Sequence, residues 1–423
     1  MSDTQVVSLW DISASEADYS NPMDGDATCD VAIIGGGYTG LSTALHGAEK
    51  GLNCHVLEAQ SIGYGGSGRN VGYVNAGLWL PPQDVRARLG ETTGSRLIEI
   101  MAEAPDYVFN LIEKHQIRCE ATRNGTIHAA HAPSGYENLA RRAEEWQRLG
   151  APVELLDAQA AAHKTGTTHF HGGLLDRRAG TINPMGYARG LARAALAAGA
   201  TISTGVTATK LTREGDLWKV KTDHGTLTAK QVVLATNAYS DDLWPGLKQT
   251  YTMIHLFQLA TEPLGGRAAH ILPERQGLWD TGLVMFVLRR DEAGRLIIGS
   301  MGALHGETSG LSRRWADRML RRLFPDLGKV AYESGWNGQI AMTHDHVFRV
   351  HRLAEGLYTP IGYNGRGVTT GTIFGKAMAD LMTGADEASL PLPVTDVAPE
   401  SLRLLKTGFF HTAFAANQLW KSL

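Results

Sequence analysis

Unbroken apolar runs and helical periodicity alternate near the start of the chain. The run Val31–Ile34 leads into a glycine-rich turn at 35–40, after which apolar residues recur at helical spacing as far as Gly51. A second apolar run then ends on Glu58. Continuous apolar runs are typical of strands buried on both faces, whereas a spacing of three to four residues is typical of a helix. The pattern predicts a strand, a helix and a second strand in a parallel sheet.

The pattern after residue 90 predicts helices separated by short strands. Helical spacing runs over 94–115, where Pro105 is expected to break or kink the helix. Asn124-Gly125 lies between alternating residues and predicts a hairpin over 117–130. Asn183 followed by Pro184 is a helix start, with an N-cap residue before a proline at the first helical position.

The second half of the chain is richer in strand patterns. A buried strand, 231–235, runs into Thr236-Asn237, where a parallel sheet would meet its ligand crevice. Residues 251–343 then show longer strands with hairpin-like spacing, which predicts an antiparallel sheet in a second domain. A strand at 357–361, a glycine turn and a helix from Thr370 repeat the order of the opening unit.

Composition bounds the class of protein. The chain has 423 residues, 40 basic and 43 acidic residues and a formal net charge of −3, so it lacks the basic excess of a nucleic-acid-binding protein. Its length predicts two domains. Three scattered cysteines without a CxxC pattern favour a reducing, cytoplasmic location and argue against a zinc site. The polar, acidic residues 1–28 argue against a signal peptide and are expected to form a surface arm.

The opening turn carries the pattern of a dinucleotide site. Gly35 would make the tight turn, Gly37 would let the backbone approach a pyrophosphate, and Gly40 would allow close packing of helix on strand. Helix N-terminal N–H groups would bind the phosphates. Glu58 is placed to accept hydrogen bonds from a ribose 2′-hydroxyl, which disfavours a 2′-phosphate. FAD or NAD is therefore expected rather than NADP.

The segment 61–77 follows Glu58 and contains six glycines. It is too rich in glycine for a packed element and long for an idle turn. One interpretation is a flexible loop. The other, favoured by its position beside the nucleotide site, is a loop that wraps a flavin ring, with Arg69 and Asn70 directed towards cofactor or substrate.

Four motifs together resemble a known family. GGGYTG at 35–40, GYGGSGRNVG at 63–72, ATNAYS at 235–240 and GYNGRGV at 362–368 occur in that order. The chain resembles the FAD-dependent amine and amino-acid oxidoreductases of the D-amino-acid oxidase (DAO) superfamily, and most closely its γ-glutamylputrescine oxidase-like branch. The resemblance implies an α/β fold of the glutathione-reductase-2 or DAO type, in which an antiparallel-sheet substrate domain is inserted into a Rossmann-like FAD-binding domain.

The domain limits follow from the resemblance and the strand pattern. The FAD-binding domain is expected at 27–90, 170–245 and 345–400, and the substrate domain at 91–169 and 246–344. Residues 401–423 read as an amphipathic helix that either packs on the FAD-binding domain or touches a membrane surface. Few basic residues on its polar face favour packing.

The resemblance also implies the cofactor contacts, with the late glycine turn meeting the pyrimidine edge of the flavin. Non-covalent FAD is expected, because covalent attachment needs a Cys or His beside the ring and neither the 61–77 loop nor the 362–368 turn contains one. The expected FAD-binding residues are Gly35, Gly37, Tyr38, Thr39, Gly40, Glu58, Ala59, Gly66, Ser67, Gly68, Arg69, Asn70, Val206, Ala235, Thr236, Asn237, Gly362, Asn364, Gly365, Arg366, Gly367, Val368 and Thr369.

The expected chemistry is oxidation of a C–N bond in an amine or amino acid, with O₂ or another acceptor taking the electrons. Relatives commonly carry GHG where this chain has GRG around Arg366, and sarcosine-type enzymes have a carboxylate-binding lysine near the position of Thr369. Arg69 or Arg366 would take over carboxylate binding here. Tyr251 and Trp336 are candidates for an aromatic substrate pocket, although aromatic residues on strands are usually core.

Other interpretations make distinct predictions. The pair His344 and His346, with Asp345 between them, could suggest a metal site, but without a cysteine partner polar surface or pocket residues are favoured, and no metal is expected. An NAD-dependent dehydrogenase would need neither glycine segment described above. A nucleotide-binding subunit without redox turnover and a dehydrogenase that passes electrons to a quinone both remain as alternatives.

Overall fold

The computed structural model describes residues 7–401 and 403–420. The strands, in chain order, are β1 (Ala27–Ile34), β2 (Cys54–Glu58), β3 (Tyr73–Val74), β4 (Thr126–Ala129), β5 (Val153–Leu156), β6 (Gly173–Asp176), β7 (Gly180–Thr181), β8 (Thr201–Thr204), β9 (Ala208–Glu214), β10 (Leu217–Thr222), β11 (Thr226–Leu234), β12 (Thr252–Thr261), β13 (Gly277–Asp280), β14 (Phe286–Arg290), β15 (Leu296–Met301), β16 (Tyr332–Met342), β17 (Arg349–Ala354), β18 (Leu357–Ile361) and β19 (Val394–Thr395). The α-helices are α1 (Leu9–Ser13), α2 (Tyr38–Glu49), α3 (Pro82–Leu89), α4 (Glu91–Lys114), α5 (Pro133–Arg148), α6 (Ala158–Thr165), α7 (Pro184–Ala197), α8 (Gly310–Leu323), α9 (Gly367–Met382) and α10 (Arg403–Trp420).

The first sheet is the predicted parallel one. Its order is β19-β17-β18-β11-β1-β2-β8, and β9 and β10 extend from β11 as an antiparallel hairpin. The strands β18, β11, β1, β2 and β8 pair in parallel. Helices α2 and α9 pack closely on each other, because Gly375 leaves room for Ser42, whose Oγ donates to the carbonyl of Thr372 at 2.7 Å. The opening unit and the returning strand–turn–helix unit thus meet side by side.

The second sheet has the order β16-β12-β15-β14-β13-β4-β6-β5 and is antiparallel except where β4 runs parallel to β13. The antiparallel prediction for 251–343 is confirmed by β12 to β16. The predicted hairpin over 117–130 is wrong: β4 pairs with β6 and β13, while Thr122 bridges to Thr181. Strand β6, which had been assigned to the FAD-binding domain within 170–245, belongs to this second sheet.

Two further local predictions are corrected. Helix α4 continues through Pro105 without a break, since Pro105 lies on its buried face and the helix packs against α3 and α9. The N-terminal arm, in the part that the structure describes, is only partly on the surface: Leu9 and Trp10 are fully buried, whereas most of residues 17–26 are exposed. By contrast, the helix start at Asn183 is confirmed, as the Asn183 side chain accepts a hydrogen bond from the N–H of Gly186.

Helix α10 packs on the second sheet, against β12 and α8, rather than on the FAD-binding domain as expected. Phe414 is buried there, and the amide of Gln418 donates to the Ser312 hydroxyl at 2.7 Å. The apolar stripe of the helix is wide enough to leave Phe409 and Trp420 exposed. Within 7–401 and 403–420, none of the helices combines the length and the hydropathy that crossing a bilayer requires.

Candidate active site

A cavity is lined by residues from both sheets. The carboxyl ends of β1, β2 and β11 contribute one side, and β12, β14, β15 and β16 contribute the other. The predicted cofactor residues that line it are Gly35, Gly37, Tyr38, Thr39, Glu58, Ala59, Gly66, Ser67, Arg69, Asn70, Val206, Ala235, Thr236, Asn237, Gly365, Gly367 and Val368. Those that lie behind its wall are Gly40, Gly68, Gly362, Asn364, Arg366 and Thr369.

The glycines of the opening turn are required by close backbone approach. Gly35 has φ +113°, and a Cβ there would lie 2.9 Å from the carbonyl oxygen of Ala235. A Cβ on Gly40 would lie 1.9 Å from the carbonyl oxygen of Gly35, so only glycine lets α2 start against β1. A Cβ on Gly37 would lie 2.8 Å from the Ser67 hydroxyl. The turn is therefore a glycine cradle, in which backbone atoms without side chains face the cavity.

Glu58 lies at the end of β2 and lines the cavity. Its Oε2 accepts the N–H of Gly36 at 2.7 Å and its Oε1 accepts the N–H of Gln60 at 2.9 Å. Burial raises the pKa of Glu58, although these two backbone hydrogen bonds act in the opposite direction. These two hydrogen bonds hold the carboxylate in one orientation. Its oxygens keep further lone pairs that can accept a hydrogen bond from a ribose hydroxyl.

Two helices begin at the cavity without a side-chain cap. Gly37 is the N-cap of α2, Arg366 is the N-cap of α9, and neither makes a side-chain capping hydrogen bond. The first N–H groups of a helix have no partner within it, and the helix dipole places positive charge there. The cavity therefore offers two anion-binding ends that fit a dinucleotide's pyrophosphate and an electron-accepting ring.

The loop between β2 and β3, which is expected to wrap the flavin, contributes residues to the lining of the cavity. Arg69 is buried; its Nε donates to the carbonyl of Tyr64 at 2.8 Å and its Nη1 to the carbonyl of Asn337 at 3.2 Å. The Asn70 amide donates to the carbonyls of Gly66 and Ser67, each at 2.9 Å. Both side chains line the cavity, but these hydrogen bonds hold the loop and tie it to β16.

The turn before α9 is shaped by Asn364, which has φ +52° and whose Oδ1 accepts the N–H of Thr343 at 2.8 Å. The indole N–H of Trp79 donates to the Asn364 carbonyl. The Thr369 hydroxyl donates to the carbonyl of Asn75 at 3.1 Å. Asn364 and Thr369 thus set the shape of the turn from behind, while Gly365 and Gly367 present backbone to the cavity.

Arg366 lies behind the wall of the cavity, between two tryptophans. Its guanidinium carbon is 4.8 Å from the ring centre of Trp79 and 5.8 Å from that of Trp279, and both rings line the cavity. Its Nη1 donates to the carbonyl of Ala76 at 3.0 Å, and its Nε has no hydrogen-bond partner within the described residues. Burial lowers the pKa of Arg366 to about 9, so the group stays charged at neutral pH.

A second guanidinium lies nearby without a carboxylate. Arg142 donates from Nη1 to the carbonyl of Trp79 at 2.7 Å and from Nη2 to that of Leu78 at 2.6 Å. Asp176, which attracts Arg366 and Arg142, is already held in a two-point hydrogen bond by Arg178. Among residues 7–401 and 403–420, neither Arg366 nor Arg142 forms an ion pair. Two guanidinium groups therefore lie behind this end of the cavity without an ion pair, while Asp176, Glu145 and Asp84 attract Arg142 from a longer distance.

Tyr251 and Trp336 do not reach the cavity, contrary to the predicted pocket. Tyr251 is buried in the core beneath the first sheet. Trp336 is fully buried, donates from its indole N–H to the carbonyl of Arg69 at 3.0 Å and packs edge-on against Trp10 at 5.8 Å. Trp336 is on β16 and directs its ring to the covered side of the second sheet, whereas Tyr251 precedes β12 and belongs to the core of the first sheet. The aromatic lining comes instead from Tyr38, Tyr64, Tyr73, Trp79, Tyr239, Phe257, Trp279 and Tyr363.

Asp345 and His351, in the histidine-containing segment considered for a metal site, make structural contacts. Asp345 pairs with Arg349, and His351 lies against the carbonyl of Thr395, 3.1 Å from its Nδ1. In the part of the chain that the structure describes, no three His, Cys, Asp or Glu side chains are grouped so as to hold a metal ion.

Comparison with known proteins identifies the family. The family described as FAD dependent oxidoreductase, DAO, matches residues 30–381. The chain is 31% identical to the gamma-glutamylputrescine oxidoreductase of Escherichia coli K12, over 90% of this chain and 89% of that one. It is also 31% identical to the probable oxidoreductase OrdL of Rhizobium meliloti, over 86% of this chain and 85% of that one.

Solved structures show the same fold. Glycine oxidase from Geobacillus kaustophilus superposes with a TM-score of 0.70 at 20% identity, covering 87% of this chain and 99% of that one. L-amino acid deaminase from Proteus vulgaris superposes with a TM-score of 0.73 at 14% identity, covering 88% and 97%. The glycine cradle, the carboxylate at the end of β2 and the two uncapped helix starts fit FAD, and the chain belongs to the DAO family of FAD-dependent oxidoreductases that act on amines or amino acids.

Proposed function

We propose that this enzyme oxidises the C–N bond of an amine that also carries a carboxylate, of which a γ-glutamylated diamine such as γ-glutamylputrescine is the model. The single observation that carries the proposal is the pair Arg366 and Arg142, neither of which forms an ion pair within the described residues. A buried charge without a partner is costly, and an anionic ligand repays that cost. The naming of the Escherichia coli relative supports the same substrate class.

The positive charge of Arg366 also favours the unprotonated form of the substrate amine, which is the form that can be oxidised. An amine must lose its extra proton before its carbon can give up a hydride, and positive charge nearby lowers the pKa of an ammonium group. Arg366, held between Trp79 and Trp279, supplies that charge from behind the wall without occupying the cavity. The aromatic faces of the two rings hold the carbon chain of the substrate and exclude water.

FAD supplies a two-electron acceptor: the carbon beside the amine nitrogen gives up a hydride, and the resulting imine is hydrolysed to an aldehyde or keto acid. Gly37, Ser67 and the start of α2 would hold its pyrophosphate, and Glu58 its ribose. The N–H groups opening α9, with Arg366, would stabilise negative charge developing at the pyrimidine edge. O₂ or another acceptor then takes the electrons.

We expect FAD to be held without a covalent bond. Among the described residues that line the cavity there is neither a cysteine nor a histidine, the side chains that form such bonds. Acid precipitation of the purified protein should leave all of the yellow colour in the supernatant. A precipitated polypeptide that stays yellow and fluoresces on a denaturing gel would contradict this expectation.

The substrate proposal is tested by anaerobic reduction of the enzyme-bound flavin. We expect γ-glutamylputrescine to bleach the visible band at least tenfold faster than free putrescine, because putrescine lacks the carboxylate. The panel should include sarcosine, pipecolate and D-amino acids. If putrescine bleaches the flavin as fast as its γ-glutamyl derivative, the anionic requirement is wrong. If a D-amino acid or pipecolate alone does so, the substrate is a small amino acid instead.

The electron acceptor is assigned on the same sample. Admitting air to the bleached enzyme should restore the oxidised spectrum and release peroxide within seconds if O₂ is the acceptor. A spectrum that stays bleached in air but recovers with a soluble quinone analogue identifies a dehydrogenase. The two results are exclusive and need no knowledge of the physiological amine.

A further inference from the structure

The loop between β2 and β3 is fixed by its carbonyl groups. The carbonyl of Arg69 accepts two hydrogen bonds, from the Gln258 amide at 2.9 Å and from the Trp336 indole at 3.0 Å. The Val71 carbonyl accepts from Nη1 of Arg289 at 2.9 Å. All three donors, Gln258, Trp336 and Arg289, lie on strands of the second sheet, and they fix the backbone of two residues that line the cavity, Arg69 and Val71.

The neighbouring carbonyls are held by the N-terminal segment, here residues 8–16. The indole N–H of Trp10 donates to the carbonyl of Asn70 at 2.9 Å. The Ser8 hydroxyl lies 3.2 Å from the carbonyl of Gly68 and shares its proton between that oxygen and the Asp11 carboxylate, which is closer at 2.7 Å. Trp10 is fully buried and lies under the guanidinium of Arg289, 5.1 Å from ring centre to carbon. Four consecutive carbonyls, 68 to 71, are thus engaged alternately by the N-terminal segment and the second sheet.

The segment is itself anchored at several points. Ser8 and Asp11 form a capping box at the N-terminus of the short helix α1. Glu16 is buried and accepts from Arg193 at 2.9 and 3.0 Å, and Nη2 of Arg189 lies 4.0 Å from Asp11. Both arginines belong to α7. A segment held this firmly keeps the indole of Trp10 in place against the loop.

We propose that Ser8 and Trp10 are positioning residues of the FAD site, acting through the loop backbone at Gly68 and Asn70. The inference rests on the FAD binding shown by the family and not on the proposed substrate. Without the indole N–H, the partly buried carbonyl of Asn70 loses its donor, and the loop relaxes away from the geometry that receives the cofactor. Retention of FAD therefore depends on residues that precede the dinucleotide-binding motif and contact no cofactor themselves.

The test is Trp10→Phe in the full chain, with FAD affinity measured by fluorescence titration of apoprotein prepared with a chaotropic salt. Phenylalanine keeps most of the buried ring and removes the donor. We expect the dissociation constant for FAD to rise about tenfold and the fine structure of the main flavin absorption band to blur. The melting temperature of the apoprotein should fall only moderately.

Trp218→Phe is the matched control, because Trp218 on β10 is also buried and its indole N–H donates to a backbone carbonyl, that of Glu355 at 3.2 Å, but neither residue lines the cavity. It should lower the melting temperature and leave FAD affinity within twofold of wild type. Equal losses of FAD affinity in both variants would overturn the proposal, since they would reflect general destabilisation. An unchanged FAD affinity in Trp10→Phe would overturn it as well.

If Trp10→Phe does not accumulate as folded protein, a second pair of variants, Ser8→Ala and Asp11→Asn, tests the same proposal. Ser8→Ala removes the hydroxyl that contacts the Gly68 carbonyl, while Asp11→Asn weakens the capping box and keeps that hydroxyl. About threefold weaker FAD binding in Ser8→Ala, with wild-type binding in Asp11→Asn, supports positioning. Equal binding in the two variants contradicts it.

Discussion

Gly40→Ala is expected to yield a chain that folds poorly and loses at least a hundredfold in FAD affinity. The new Cβ would lie 1.9 Å from the carbonyl oxygen of Gly35 and 3.2 Å from the side chain of Ile33. Neither atom belongs to the end of a flexible side chain, so α2 must move away from β1. A shift of this kind costs about 3 kcal/mol, and it displaces the N–H groups that meet the pyrophosphate.

Titration of apoprotein with FAD and thermal unfolding with and without added FAD measure the effect. The control is Gly266→Ala, because Gly266 has nothing within 4 Å of its added Cβ and lies in the second domain. That variant should match wild type in both measurements. If Gly40→Ala binds FAD within tenfold of wild type, then the start of α2 is not rigidly set by its contact with Gly35.

The parts of the site that could be predicted are those that depend on local backbone geometry. Gly35 and Gly40 stand at fixed offsets because a strand, a tight turn and a helix must pack within a few residues of one another. Glu58 follows from the same local unit. The Gly362–Val368 turn was recognised for the same reason. In each case the physical requirement and the residue that meets it are close together in the sequence.

The parts that were missed depend on contacts between distant segments. The segment 1–28 is polar on average, yet Trp10 inserts beneath the loop at Asn70, and no property of its own sequence indicates that partner. Helix α10 has an apolar stripe, but the residues of that stripe do not indicate which sheet the helix packs against. Trp336 has the alternation of a strand residue, and register alone decides which face of the strand meets the cavity.

Trp79 and Trp279 illustrate the same limit at the substrate end. They are 200 positions apart, and although Arg366 is a sequence candidate for carboxylate binding, nothing in the sequence places it between these two rings. One signal was available: Trp79 comes directly after the glycine loop at 61–77, and Trp279 lies on a strand of the predicted antiparallel sheet. To identify the cation between the two rings, one would also have to know which arginines have no carboxylate partner. That depends on the whole fold.

Arg366→Gln is expected to reduce kcat/KM for a carboxylate-bearing amine about a hundredfold, which corresponds to about 2.8 kcal/mol. The variant loses the charge that attracts the carboxylate, and it no longer lowers the pKa of the substrate amine. The pH at which kcat is half-maximal should therefore move upward, because kcat reports the ionisation of the bound amine, and a more basic amine needs a higher pH to become neutral. Arg366→Lys should keep the pH profile and recover part of the rate, since it retains charge but not the planar stacking of the guanidinium.

Steady-state kinetics across pH, with an amine substrate and its methyl ester compared in each variant, separate these effects. The ester lacks the negative charge, so its kcat/KM should fall far less than that of the acid in Arg366→Gln. Arg141→Gln, which removes an exposed arginine from helix α5, is the charge control and should behave as wild type. If acid and ester lose rate equally and the pH profile does not move, Arg366 acts only on the shape of the turn before α9, and carboxylate recognition must be sought at Arg69.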